Sequence, residues 1–180
     1  MSELTSPGAP FRGLLGAGFA LYNLGVVAVG VGVLLRGPRR IPEVIGAGAL
    51  AACGVAGVLM IEPFPQDPMG SPLTPAGTVH IALAGVSALG LVLALVLFAV
   101  AWWRDAFWRR LRVISVVCAA AILVTGGVGA AMVASPVFGL FERFTQVSFL
   151  TWFAVLGVFA LRAARGERPG SAHSATAPRG

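Results

Sequence analysis

The residues with the most chemical reach gather in one connection and at one helix start. Glu62, Asp67 and His80 belong to the segment Glu62–His80, which also holds five prolines. Glu142 and Arg143 open the last apolar run of the chain. Three carboxylates, an imidazole and a guanidinium at one level support three kinds of chemistry.

The first is a structural network. Arg143 would pair with Glu62 or Asp67, and His80 would cap or hydrogen-bond the connection. Pro63, Pro65 and Pro68 would stiffen it, since an Asp before Pro favours extended or turn geometry. The second is a binding site for a lipid or small ligand, with Arg143 as cation and the acids as acceptors; Glu62, Asp67, His80, Glu142 and Arg143 are its candidate residues. The third is a membrane-embedded, metal-dependent or acid–base hydrolase using His80 and the nearby acids. A catalytic zinc usually keeps three protein ligands and an open position, and Asp67, His80 and Glu142 are the candidates. No HExxH, HxH or GxSxG pattern supports that third reading. Ser87 lies two helical turns from His80 on the same face. The sequence names no cofactor.

These groups are positioned by elements built for lipid. The chain has 180 residues, of which 57% are hydrophobic and 11% charged, and its mean hydropathy is +0.88. Soluble domains carry about 25% charged residues, so the solvent for most of these side chains is a bilayer. Five uninterrupted apolar runs, about 13–35, 44–61, 79–103, 113–133 and 144–161, have the length that a hydrocarbon core of about 30 Å requires. Transmembrane strands would be shorter and would alternate in polarity. The expected fold class is all-α, a polytopic bundle of five spans over residues 1–164, followed by a disordered cytoplasmic tail over 165–180.

The net charge of +6 does not indicate nucleic acid. All thirteen basic residues are arginines at span ends. Eleven of them fall on one side, and only Arg12 and Arg143 on the other. The positive-inside rule places the eleven in the cytoplasm, the N-terminus outside, the C-terminus inside and the Glu62–His80 connection facing outward. Trp102, Trp103 and Trp108 suit the headgroup layer at the cytoplasmic end. Cys53 and Cys118 lie inside apolar runs and read as small hydrophobes. The expected partners are the lipid bilayer and a second copy or partner helix.

Small residues recur at four-residue spacing in the second and fourth runs. In the second, Gly48, Ala52 and Ala56 form the strong row, Ala49, Cys53 and Gly57 a further one beside it, and Gly46, Leu50 and Gly54 a weak one. Gly126, Ala130 and Ala134, beside Gly127, Ala131 and Ser135, form rows in the fourth. Such rows let backbones approach closely, which makes these two the expected central helices. Tyr22, Asn23, Ser87, Thr125, Gln146, Ser148 and Thr151 are the polar residues within the spans; such groups mark helix contacts or sites.

The pattern Phe64-Pro-x-Asp67-Pro followed by Gly77-x-x-His80 resembles a bacterial and archaeal membrane family known as domain of unknown function 998. Ser2-Glu3-Leu4, Gly139-Leu140-Phe141-Glu142-Arg143 and Trp152 resemble further segments of it, and the likeness covers roughly residues 2–162. The resemblance implies a multi-pass protein of the prokaryotic cell membrane, usually of six helices, with no established activity and with Asp67, His80 and Arg143 at motif positions. It also implies that the family's first helix is missing from this chain, through a start codon placed too late or a natural truncation. An apolar span encoded in frame upstream would support the first explanation.

Overall fold

A computed structural model describes residues 2–35, 40–68, 70–132, 135 and 137–166. A short 3-10 turn over Ser2–Thr5 precedes five α-helices: α1 (Arg12–Leu35), α2 (Ile41–Leu59), α3 (Pro75–Ala101), α4 (Arg109–Ala131) and α5 (Phe138–Ala164). All five are long and apolar enough to cross a membrane, and no strand forms among the described residues. The protein is an all-α polytopic bundle. Its helices all begin before the expected apolar runs, by up to six residues in α5, while α2, α3 and α4 end two residues before theirs. Arg36, Arg39 and the tail from residue 167 lie outside the described residues.

The five helices run alternately up and down. Each packs closely only on its neighbours in the chain: α1 on α2, α2 on α3, α3 on α4, α4 on α5. The backbones of α2 and α4 do not approach one another, so these are not a central pair. The middle of the bundle is α3, which buries Leu91, Ala94, Leu95 and Phe98.

The helix contacts also use a different row of α2 from the expected one. Gly46, Leu50, Gly54 and Gly57 are buried. Gly48 faces open space and Ala52 is exposed. A Cβ on Gly54 would lie 2.7 Å from the Asn23 carbonyl oxygen and 2.9 Å from the Val27 amide nitrogen of α1. A Cβ on Gly30 would likewise meet the backbone of Ala47 and Ala51. Helices α1 and α2 therefore cross with backbones in contact, which dispersion and close approach favour in lipid. In α4, Gly126 and Gly127 would meet nothing within 4 Å, and only Gly129 is tight, with its Cβ 3.3 Å from that of Phe141.

One half of the bundle is a solid aromatic column. Phe149 and Trp152 stack at 6.1 Å, Trp152 on Phe98 at 5.8 Å, Phe98 on Trp102 at 4.9 Å and Trp102 on Trp108 at 4.9 Å. Trp108 then stacks on Phe159 at 5.8 Å. The Trp152 indole N–H donates to Ser115 Oγ (2.8 Å), which donates to the Leu111 carbonyl (2.8 Å). Trp102 and Trp108 are thus core residues rather than headgroup anchors. Trp103 alone of the three is exposed, with the Arg112 guanidinium 4.6 Å above its ring. Arg112 also donates to the Trp103 carbonyl and Arg40 to that of Ala101. Two cations thereby cap the carbonyl end of α3, where the helix dipole is negative.

Gly54→Val should lower the midpoint of detergent-induced unfolding substantially. Overpacking costs about 1–3 kcal/mol even where side chains can yield, and here backbone atoms stand in the way. Gly48→Val, with the same change in helix propensity, should leave that midpoint nearly unchanged; equal effects would assign the packing row wrongly.

Candidate functional site

The connection between α2 and α3 is held by a compact set of hydrogen bonds. Thr74 is the N-cap of α3, and its Oγ1 accepts from the Gly77 amide (3.1 Å). Pro75 follows at the first helical position, where its missing N–H costs nothing. Asp67 folds back onto the cap. Its carboxylate accepts from the Thr74 amide and from Thr74 Oγ1, each at 2.8 Å. Gly77 lies directly beneath that carboxylate, and a Cβ there would overlap Asp67 Oδ2. One turn further, buried His80 sets Nδ1 2.8 Å from the Phe64 carbonyl oxygen. A carbonyl only accepts, so Nδ1 carries the proton. In the neutral ring, Nε2 then keeps its lone pair.

Phe64, Asp67, Gly77 and His80 are therefore parts of one lock, and the sequence pattern that joins them has a physical reason. The expected network is half present. His80 does hold the connection, but Arg143 does not pair with Glu62 or Asp67. Arg143 is exposed, whereas Glu62 pairs with Arg12 at 3.0 Å across the ends of α1 and α2. The sequence placed both arginines at this level but not the rotation of their helices.

Behind the lock lies a cavity of about 300 Å³, lined from all five helices. His80 and Glu142 line it; Glu62, Asp67 and Arg143 do not. The polar groups that join them were visible in the sequence only as isolated residues within spans: Tyr22, Asn23, Ser87, Thr125 and Gln146. Thr125 Oγ1 bonds Thr145 Oγ1 at 2.7 Å between α4 and α5. Asn23 Nδ2 donates to the Phe19 carbonyl at 2.9 Å, and its side chain fills the space that Gly57 leaves. The Cys53 thiol donates to the Ser87 carbonyl at 3.3 Å. Ser87 Oγ is buried without a partner. Neither the Tyr22 hydroxyl nor the Gln146 amide has a hydrogen-bond partner among the described residues.

Among the described residues no three His, Cys, Asp or Glu side chains come together as ligands. Asp67 is committed to Thr74, so Asp67, His80 and Glu142 do not converge on an ion. Ser87 and His80 also fail as a nucleophile–base pair, because seven residues of helix separate them by about 10 Å along the axis.

A multi-pass helical membrane protein with a proline-rich lock over a polar intramembrane cavity is the class these features define. The family model described as a protein of unknown function, DUF998, matches residues 1–159, and the chain belongs to that family. No curated protein and no solved structure matches it.

Thr74→Ala should destabilise the protein by about 1–2 kcal/mol, the cost of an N-cap and its hydrogen bonds. It should also expose the connection to limited proteolysis. Gly77→Ala should do so more strongly, by displacing the Asp67 carboxylate. Arg143→Ala should leave the unfolding midpoint within about 0.5 kcal/mol, as for surface positions generally. A large loss there would restore the ion-pair network.

Proposed function

We propose that this is a prokaryotic plasma-membrane protein whose cavity faces the external half of the bilayer and binds a small amphipathic ligand. The reading rests on one observation. Inside a bundle made for lipid, Tyr22, His80, Ser87 and Gln146 line one cavity; Ser87 Oγ is buried without a partner, and the Tyr22 hydroxyl, the Gln146 amide and His80 Nε2 have none among the described residues. An unanswered polar group in an apolar interior costs about 1–3 kcal/mol. Several around one space are best accounted for by a molecule that hydrogen-bonds them.

His80 would accept through Nε2, Gln146 and Tyr22 would donate, and Glu142 supplies the one carboxylate of the lining. Asp67 and Gly77 act at one remove, by holding the connection that orients His80. Glu62 and Arg143, outside the lining, are not assigned contacts. The outward orientation is supported by the sequence, which assigns eleven of the thirteen arginines to the connections and tail on the other side of the spans.

Hydrolysis is the second reading, favoured by the fixed tautomer of His80. Its Nε2 is oriented as a general base would be, with Glu142 in the same lining. The reading needs water as the nucleophile, since Ser87 stands too far along α3.

Native mass spectrometry of protein extracted in mild detergent tests the proposal. A retained small-molecule adduct is expected on the wild type. Ala88→Trp, which fills the cavity from α3, should lose it. Leu123→Trp, on the exposed face of α4, should keep it. No adduct, or an adduct indifferent to Ala88→Trp, would refute the binding role. For the orientation, Ser71→Cys should react with an impermeant maleimide on intact cells.

A further inference from the structure

The cavity has an asymmetric wall. Four pairs of adjacent helices pack backbone to backbone, but α1 and α5, which complete the enclosure, have no pair of Cα atoms within 8 Å. They meet through side chains, with Tyr22 edge-on to Phe149 at 6.0 Å. About one turn earlier in each helix, Phe19 of α1 and Gln146 of α5 also line the space. The N-terminal turn covers another side. Thr5 and Ser6 are buried at 7% exposure each, and Thr5 of the N-terminal turn lines the cavity from that side. Ile61 and Phe138 line it there too, and the Arg12–Glu62 pair ties α1 to α2 beside it.

Size and charge narrow what would use such a space. About 300 Å³ is at the lower end for small-molecule pockets, which run from about 300 to 1,000 Å³. That holds a polar head and a few methylene groups but not a complete membrane lipid. Among the described residues that line it, Glu142 is the carboxylate and none is an arginine. An anionic phosphate head would meet that carboxylate with no lining arginine to offset it, while hydroxyls would find His80, Gln146 and Tyr22.

We infer that the gap between α1 and α5 is a lateral portal through which an uncharged, hydroxyl-headed lipid enters from the bilayer. Its head lies toward His80 and Gln146, and its chain extends past Phe19 into the membrane. This rests on the binding role proposed above and adds the ligand class and its route.

Cys53 provides a native reporter, because it lines the cavity whereas Cys118 does not. The protein carrying Cys118→Ala is reconstituted in phosphatidylcholine vesicles. It is treated either with N-phenylmaleimide, which partitions into the bilayer, or with a charged trimethylammonium thiosulfonate, which does not. Each rate is normalised to that of free cysteine. Cys53 should react at least tenfold faster with the partitioning reagent. Diacylglycerol in the vesicles should slow that reaction several-fold, whereas phosphatidic acid in the bilayer or glycerol in the water should not.

Faster modification by the charged reagent would overturn the portal. So would no modification by either, since a gap that passes an acyl chain admits a phenyl ring. Protection by glycerol, by phosphatidic acid, or by none of the three would overturn the lipid class. An adduct lost in Ala88→Trp alongside any of these results would leave the binding role standing, which separates the two failures.

Discussion

The outer half of this molecule depends on how one carboxylate is answered. Asp67 sits where a helix begins and lipid is near, and its charge must be met locally. It is met by the amide and hydroxyl of Thr74, at the end of α3 where the dipole is positive and backbone N–H groups lack intrahelical partners. The same contact requires Gly77, because any side chain there would occupy the carboxylate's place. Once Asp67 is anchored, Pro65 and Pro68 leave the preceding backbone little freedom, and the Phe64 carbonyl comes to rest over His80. The orientation of an imidazole inside the bundle thus follows from an N-cap at its surface.

The bundle is divided along its length. Its arginine-rich half is filled by stacked rings from Phe149 to Trp108, with the single indole donor in that stretch of α5 satisfied by Ser115. Such a core gains dispersion energy without stranding polar groups. The other half holds Tyr22, Asn23, Ser87, Thr125 and Gln146 around open space. Helices that come together only for stability would not distribute these groups so unevenly. Polar contacts between membrane helices are generally worth about 1–2 kcal/mol or less, and several here are made with the group's own helix or not at all. The solid half ties α3 to α5 and to the link before α4, while the polar half surrounds open space.

How much of this is legible in the chain depends on whether a property belongs to one residue or to a relation between helices. The five spans are legible because an uninterrupted apolar run of sufficient length has few alternatives in a bilayer. The connection is legible as the place to look, since acids, prolines and a lone histidine concentrate there. Helix rotation is not legible. Glycine and alanine occur on every face of α2, and the row through Gly48 and Ala52 is the more regular, yet it is the row through Gly46 and Gly54, interrupted by Leu50, that meets a partner. Arg143 and Arg12 are equally near Glu62 by level, yet α1 turns Arg12 toward it and α5 turns Arg143 away. Trp102 and Trp108 flank a span end as anchors would, but the short link between α3 and α4 folds them inward onto Phe98 and Phe159. The cavity residues come from five separate segments, and no local spacing announces that they meet.

Phe64, Asp67, Gly77 and His80 are thus explained by the lock without any ligand. Asp67 spends its acceptors on Thr74, Gly77 offers only an absence of bulk, and Phe64 contributes a carbonyl. His80 alone belongs to both the lock, through Nδ1, and the cavity lining. A ring needed only to fasten the connection would require a single donor, which a threonine or serine hydroxyl could supply at less cost in buried polar surface. An imidazole fixed in one tautomer adds an acceptor of known direction inside the membrane. The lock and the cavity are coupled through that residue, so loosening the surface turn should disorder the site before it unfolds the bundle.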